Sequence, residues 1–224
     1  MLVIAESTMP VSPTRHLTRT SRPGSLVAMR APACKEWAVV VRALLAGEQL
    51  LDVRKGGLRE DGRHFQLRAT RFWLYPTVEH QRPELLKPAY RRWVDETVAA
   101  APPDRAIRVE GWADVVGVLE VTDPEELAKI ESKFIWTRDY AESRLEWKRR
   151  DPLVVLALRA HRLAEPITIP WRDEYGGCTS WVDLDGLPDE PATAASEPAL
   201  SDVSFDARLG FVEGDLGRTF AAPA

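Results

Sequence analysis

Two stretches of this chain, Arg54–Glu60 with the sequence RKGGLRE and Phe72–Gln81 with the sequence FWLYPTVEHQ, hold its most concentrated polar chemistry. The first surrounds a glycine pair with three cations, and the second runs from aromatic residues through a proline turn to Thr, Glu, His and Gln. A short apolar run leads into the first stretch and another begins the second, and each predicts a strand that ends there. Because mixed folds place functional groups in the loops at strand ends, we predict that the two stretches form one site.

The composition is typical of a soluble globular protein. The chain has 224 residues, of which 45% are hydrophobic and 29% charged, and its net charge is −4; these values are ordinary for a folded domain. Its two cysteines are too few for a disulfide framework. No apolar run approaches the roughly 18 residues of a membrane span, and the apolar run at Met1–Ala5 is too short for a signal peptide. We therefore expect a cytoplasmic protein that does not bind membranes.

Charge divides the chain into three parts. Residues 1–33 carry four Arg and one Glu, a charge of +3, whereas residues 185–224 carry two Arg and eight acidic residues, a charge of −6. The nearly neutral segment between them holds all eight Trp residues. We predict a single globular domain over residues 34–184 and an acidic disordered tail over residues 185–224. Residues 1–33 are expected to be either disordered or mis-annotated, with Met9 or Met29 as the true start.

Hydrophobic periodicity predicts an α+β domain. Helical spacing predicts a helix over residues 35–46, with a strand as the alternative because the run is rich in Val. A helix is predicted over residues 83–101, in which Pro88 is expected to kink or divide the helix near its start. Further helices are predicted from a cap at residue 122 or 123 to about 132, and over 137–147. The predicted strands cover residues 49–54, 64–67, 72–75, 106–110, 113–121 and 152–163, with 106–121 either a strand pair or one bent strand. We expect a mixed or antiparallel sheet of five to seven strands, either open or curled as a partial barrel, with two to four flanking helices.

Four blocks of the sequence are distinctive as a set. They are Lys35-Glu36-Trp37-Ala38, Arg54-Lys55-Gly56-Gly57 with Arg59-Glu60, Leu74-Tyr75-Pro76-Thr77 with Glu79-His80-Gln81, and Gly177-Cys178 with Ser180-Trp181. Together they resemble the signature of an uncharacterised bacterial family, domain of unknown function 1802 (DUF1802). The resemblance spans about residues 34–184, so it implies a unit with those boundaries. It implies no mechanism and transfers no catalytic residue to this chain.

The site chemistry favours a binding module for nucleic acid or a phosphorylated small molecule. Glycines let backbone N–H groups approach an anion, cations neutralise phosphate, and exposed rings stack on bases. Here the basic Gly-Gly loop would hold phosphate, the aromatic residues would form a stacking wall, and the polar residues after Pro76 would orient the ligand. The predicted ligand-binding residues are Arg54, Lys55, Gly56, Gly57, Arg59, Trp73, Tyr75, Thr77, His80 and Gln81. The alternative interpretation is a plain tight turn with solvated arginines.

A second hypothesis is a hydrolase of nuclease type, either metal-dependent or acid/base, that uses Glu60, Glu79 and His80. A histidine near a carboxylate can transfer protons near neutral pH. Adjacent residues of a helix or strand face different ways, so Glu79 and His80 could act together only from a loop. The sequence identifies no cofactor and no set of metal ligands. We favour binding, because cations outnumber well-placed carboxylates and no complete set of nucleophile, base and orienting group is present.

Overall fold

A computed structural model describes residues 31–55, 67–146 and 152–223 of the chain. Its centre is an open mixed sheet of seven strands in the order β2-β5-β4-β3-β1-β6, with β7 paired to β5. The strands are β1 Ala31–Trp37, β2 Leu51–Arg54, β3 Arg71–Thr77, β4 Ile107–Val121, β5 Leu153–Ile169, β6 Trp181–Leu184 and β7 Ser196–Pro198. The α-helices are α1 Ala38–Leu45, α2 Arg92–Ala99, α3 Pro124–Lys129, α4 Arg138–Glu146 and α5 Asp202–Leu216. The predicted α+β class with a mixed sheet is confirmed.

The long antiparallel pair β4 and β5 forms the middle of the sheet. Strand β4 alternates buried and exposed residues over most of its length, as expected for a strand with one face on the core. Its ladder to β5 is interrupted after Val109 and after Val115, and such bulges bend a strand. The bent-strand alternative for residues 106–121 is therefore the correct one. At Gly111 an added Cβ would lie 2.3 Å from the His161 carbonyl oxygen, so this position requires glycine.

Strands β1 and β3 run parallel, which brings their carboxyl ends to the same edge of the sheet. Lys35 pairs with Tyr75, and Trp37 pairs with Thr77. The prediction of a helix from residue 35 was wrong by three residues, because Lys35–Trp37 continue β1 and α1 begins at Ala38. Periodicity along the chain cannot detect this pairing, which depends on a partner about 40 residues away.

The sheet is strongly curled. Strand β2 lies four places from β1 in the strand order, which would separate them by roughly 19 Å in a flat sheet with strands about 4.8 Å apart. An arginine side chain cannot span that distance. Nevertheless, Nη1 of Arg54 donates a hydrogen bond to the carbonyl oxygen of Lys35 at 2.9 Å. Curling therefore brings the end of β2 against the end of β1, as in a partial barrel that does not close.

Residues 185–223 are folded, which corrects the prediction of a disordered tail. Helix α5 buries Phe205, Val212 and Leu216, whose spacing of seven and four residues forms one stripe on a helix. Ser201 caps its N-terminus by accepting a hydrogen bond from the Ser204 amide. The acidic composition of this segment reflects its exposed face and does not prevent its apolar stripe from packing on the domain.

Proline divides the helical segment predicted over residues 83–101, which is one of the two outcomes expected of Pro88. Pro83–Leu85 and Pro88–Tyr90 form single 3-10 turns, and α2 begins only at Arg92, because each proline lacks the N–H group that a continuing helix needs. Residues 1–30 and 64–66 lie outside the described residues, so most of the predicted N-terminal segment and of the predicted strand over 64–67 stays a prediction. Residues 31–33 belong to β1, which corrects the disorder predicted for the end of the segment over residues 1–33, and Leu67 is not in a strand. None of the helices in the described ranges is long and apolar enough to cross a membrane.

Candidate functional site

A cleft of about 1070 Å³, open to solvent, lies at the edge where β1 and β3 end. The last residues of these two strands form its floor. One wall comes from the end of β2 together with α4, and a second comes from the end of α2 and the turn before β4. The segment that connects β5 to β6 forms the remaining wall. The cleft is therefore lined by six separate segments of the chain.

Lys35 lies on the floor of the cleft. Its ammonium group donates hydrogen bonds to the carbonyl oxygens of Gly176, at 3.3 Å, and Gly177, at 3.1 Å. It also lies 5.5 Å from the centre of the Tyr75 ring. Partial burial lowers the pKa of Lys35, while the nearby thiol of Cys178 and carboxylate of Glu79 oppose that change. An ammonium has three N–H donors, so the two carbonyl bonds leave one donor for a ligand.

A buried ionic network lies beneath the floor. Arg54 Nε is 2.6 Å from Asp52 Oδ2, and Arg54 Nη2 is 3.0 Å from Glu36 Oε2. The side chains of Arg54 and Glu36 are only 11% and 12% exposed. Burial raises the pKa of Glu36 to about 7, although the Arg54 guanidinium favours the ionised form. Arg54 is therefore held by the protein's own acceptors.

Arg144 and Lys55 lie on the wall next to this network. Nε of Arg144 donates a hydrogen bond to the hydroxyl of Tyr140 at 2.9 Å. The Tyr140 ring stacks on Trp136 with the ring centres 4.1 Å apart, and burial raises the pKa of Tyr140 to about 12. Lys55 is buried, and its ammonium donates to the carbonyl oxygen of Leu145. The buried tyrosine anchors the Arg144 guanidinium beside the cleft.

Arg105 and Trp171 form a stack at the rim of the cleft. The Arg105 guanidinium lies 3.7 Å from the centre of the Trp171 ring. Its Nη2 is 3.6 Å from Oε1 of Glu79, which follows β3. Both members of this ion pair are exposed, with 59% and 68% of their side chains accessible. The rim therefore presents a flat cationic surface to solvent.

The cleft has the opposite charge to the whole protein. Among the described residues that line it, seven are Lys or Arg and four are Glu, a difference of +3, whereas the chain carries −4. The four glutamates each contact an arginine: Glu36 with Arg54, Glu79 with Arg105, Glu96 with Arg42, and Glu110 with Arg108. Of the other cations, Lys35 donates to two backbone carbonyl oxygens and Arg144 donates to the Tyr140 hydroxyl.

The structure brings together part of the predicted site. Arg54, Lys55, Tyr75, Thr77, Glu79 and His80 all line the cleft. Thr77 Oγ1 donates to the Glu36 carbonyl oxygen at 3.1 Å and so joins the two strand ends. Gly56, Gly57, Arg59 and Glu60 lie outside the described residues. Their predicted roles, and the three-residue hydrolase set, stay predictions.

Two predicted residues lie elsewhere. Trp73 is fully buried in a second core, and its Nε1 donates to the Pro188 carbonyl oxygen at 3.0 Å, which does not fit the stacking role predicted for it. Gln81 accepts a hydrogen bond from the Val39 amide at 2.9 Å and so caps the first turn of α1. In the described ranges, no three His, Cys, Asp or Glu residues are grouped to hold a metal ion.

Sequence reasoning missed several residues of the cleft. They are Lys35, Glu36, Arg105, Arg144 and Trp171. Lys35 and Glu36 belong to one of the four distinctive sequence blocks, and a charged pair next to a buried apolar run is the signal that could have identified them. In the sequence, Arg105 is recognisable only as a cation before a predicted strand, and Trp171 only as an aromatic residue after one. Neither signal shows that the two positions meet.

A family model described as "Domain of unknown function (DUF1802)" matches residues 33–210. No curated protein matches the chain in sequence. Among solved structures, the chain is similar to the crystal structure of ASCH from Zymomonas mobilis, with 15% identity, a TM-score of 0.42, and coverage of 70% of this chain and 90% of that one. A point mutant of that protein gives 15% identity, a TM-score of 0.42, and coverage of 71% and 91%. Because the family model covers most of the chain, this protein belongs to the DUF1802 family.

Proposed function

We propose that the cleft binds single-stranded nucleic acid. The observation that carries the proposal is the charge of the lining, +3 over the described residues, in a chain whose net charge is −4. An acidic protein repels polyanions in general, so positive charge concentrated in one concave surface directs them to that surface. Lys35 and Arg144 are the cations best placed to contact phosphate, because each is fixed by hydrogen bonds at the cleft.

The size of the cleft favours an extended ligand over a single small molecule. Pockets for small ligands measure about 300 to 1,000 Å³, and this cleft of about 1070 Å³ is slightly larger than that range and open to solvent. A free nucleotide or another small phosphorylated molecule has the same phosphate chemistry. A competition experiment distinguishes nucleic acid from a small phosphorylated ligand, because a nucleic-acid site binds an oligonucleotide more tightly than its mononucleotide unit.

The test is the anisotropy of a fluorescently labelled single-stranded oligonucleotide, titrated with the full chain at several salt concentrations. Each phosphate contact to a single strand contributes about −0.7 to the slope of log K against log salt. Lys35→Met should therefore weaken binding and make that slope smaller by about 0.7. Arg162→Met is the matched control, because Arg162 is exposed and pairs with Glu197, outside the cleft.

Two results would reject the proposal. One is an affinity that does not change with salt, since phosphate contacts must release counterions. The other is an equal loss of affinity in Arg162→Met and Lys35→Met, which would assign binding to the general surface. An unlabelled mononucleotide that competes as well as the oligonucleotide would instead assign the cleft to a small phosphorylated ligand. Thermal melts of both variants establish that the chain is folded in each titration.

A further inference from the structure

The rim of the cleft contains backbone strain that the fold itself does not explain. Three residues other than glycine have a left-handed backbone in the described ranges: His80 with φ 62°, Asp104 with φ 55° and Arg105 with φ 58°. His and Asp adopt this conformation more readily than other residues that carry a Cβ, so Arg105 is the unusual one of the three, and an arginine keeps it only where the surroundings impose it. All three residues lie in the two turns that meet at the rim, one after β3 and one before β4. Strained backbone of this kind is concentrated at functional sites.

The contacts between the two turns are too weak to account for that strain. In the part of the chain that the structure describes, one ion pair joins the two turns, from Arg105 to Glu79 at 3.6 Å, and both side chains are more than half exposed. Exposed ion pairs contribute little to stability. The stack of Arg105 on Trp171 is also at the surface, since Trp171 is half-buried and Arg105 is exposed. The contacts of Arg105 therefore stabilise the fold by too little to offset the cost of its left-handed backbone.

The strained turn orients the flat guanidinium group of Arg105. The guanidinium of Arg105 covers the Trp171 ring at 3.7 Å, and its other face is directed away from the indole. Gly176 packs beside the same ring, where an added Cβ would lie 3.6 Å from Trp171 Cζ2. The electrostatic influence of Arg105 reaches Tyr75 on the floor of the cleft, where the guanidinium opposes the rise in the pKa of the tyrosine that burial causes. The stack is thus adjacent to the proposed phosphate site.

We propose that Arg105 and Trp171 form a base-binding subsite, in which an unpaired nucleobase stacks on the outer face of the Arg105 guanidinium. This inference rests on the proposed function of the cleft and identifies which part of the ligand the rim contacts. Arginine planes and aromatic rings both stack on bases in single-stranded recognition. The resulting order is indole, guanidinium, base. A base in a duplex is covered by its neighbours, so the subsite selects single strands.

Two ligands and two glycine variants test the subsite. The ligands are a base-bearing single-stranded oligonucleotide and an abasic oligonucleotide of the same length. The wild-type protein should bind the first more tightly, by about tenfold if one base stacks. Arg105→Gly should reduce this preference to about one while leaving the melting temperature unchanged or higher, because glycine accepts the left-handed backbone. Asp104→Gly is the matched control, since it relieves strain at the neighbouring residue and retains the guanidinium. It should keep the preference.

The outcomes separate the subsite from the proposed function of the cleft. Equal binding of both oligonucleotides by the wild-type protein would overturn the base subsite and leave the phosphate site in place. Failure of the wild-type protein to bind either ligand would reject the proposed function itself. A preference that survives in Arg105→Gly together with a lower melting temperature would make Arg105 a structural residue and overturn the proposal. So would a loss of preference in Asp104→Gly as complete as that in Arg105→Gly.

Discussion

Replacing Glu36 by glutamine should stabilise the protein at alkaline pH and not in acid. The Glu36 carboxyl group is largely buried next to Asp52 and Arg54 of β2. Two residues of α4, Arg144 and Tyr140, also interact with it electrostatically. Lys35 precedes Glu36 in β1. Burial raises its pKa to about 7. The protonated form therefore contributes stability below the pKa of the unfolded chain, and that contribution is lost as the pH rises through 7.

The expected magnitude follows from the size of the shift. Raising a carboxyl pKa from 4.5 to about 7 corresponds to about 3 kcal/mol, at about 1.4 kcal/mol for each unit. Glutamine cannot ionise, so the variant does not lose this stability as the pH rises. It has one carbonyl oxygen, however, and can replace only one of the two contacts that Glu36 makes, with the Trp37 amide and with Arg54. A lost hydrogen bond costs about 1 kcal/mol. The variant should be less stable than wild type by about 1 kcal/mol at pH 4.5 and more stable by about 2 kcal/mol at pH 8.

Urea unfolding followed by tryptophan fluorescence at several pH values measures this difference. Glu190→Gln is a control of opposite sign, because a hydrogen bond from Arg71 lowers the pKa of Glu190. The stability that Glu190 contributes is present above the pKa of the unfolded chain, so its variant should be slightly less stable than wild type at pH 8. A stability difference between Glu36→Gln and wild type that stays constant from pH 4.5 to 8 would refute the reasoning, since Glu36 would then have the same charge throughout.

Two other substitutions test the fold beneath the site. Arg54→Met should destabilise the protein by about 3 to 5 kcal/mol in urea unfolding, because it leaves Asp52 and Glu36 buried without their common partner; retention of wild-type stability would show that the network is hydrated. Gly111→Ala should lower stability by about 3 kcal/mol or more, since the new methyl group would lie 2.3 Å from a backbone oxygen. Gly210→Ala on α5 is its counterpart, because nothing lies within 4 Å of the added Cβ and the helix should gain about 1 kcal/mol. Equal effects of the two alanines on the urea midpoint would contradict the packing described for β4.

Local patterns were sufficient to predict the fold class and the strands that end at the cleft. Short apolar runs bounded by glycine or proline located β2 and β3, and both end within the cleft as predicted. The same patterns could not locate the end of β1, because Lys35–Trp37 are held by pairing with β3. Strand pairs of this kind depend on residues distant in sequence, which no periodicity records.

The errors about Trp73 and about the tail concern the same face of the sheet. Trp73 and Tyr75 are two residues apart in β3, so they face the same side. That side carries the second core, to which the segment after residue 184 contributes Leu187, and the Pro188 carbonyl accepts the indole hydrogen bond of Trp73. Tyr75 lies nearer the strand end and lines the cleft, whereas Trp73 is covered.

The paired state of Arg54 and the rim stack were beyond sequence analysis for a different reason. Arg54 was predicted to hold phosphate, but Glu36 reaches it only because the sheet curls. Arg105 and Trp171 meet across 66 positions of the chain, and the backbone conformation that directs Arg105 is unusual for its residue type. Composition and spacing report which charges are present. They do not report which charges the fold neutralises internally.

Hydrogen exchange of the full chain, with and without a saturating single-stranded oligonucleotide, tests most directly whether the cleft is the ligand site. We predict that the oligonucleotide slows amide exchange in the two rim segments, residues 100–106 and 171–180, with smaller changes on the exposed face of α5. Slowed exchange confined to α5, or no change in either rim segment while the oligonucleotide is bound, would contradict the assignment of the cleft.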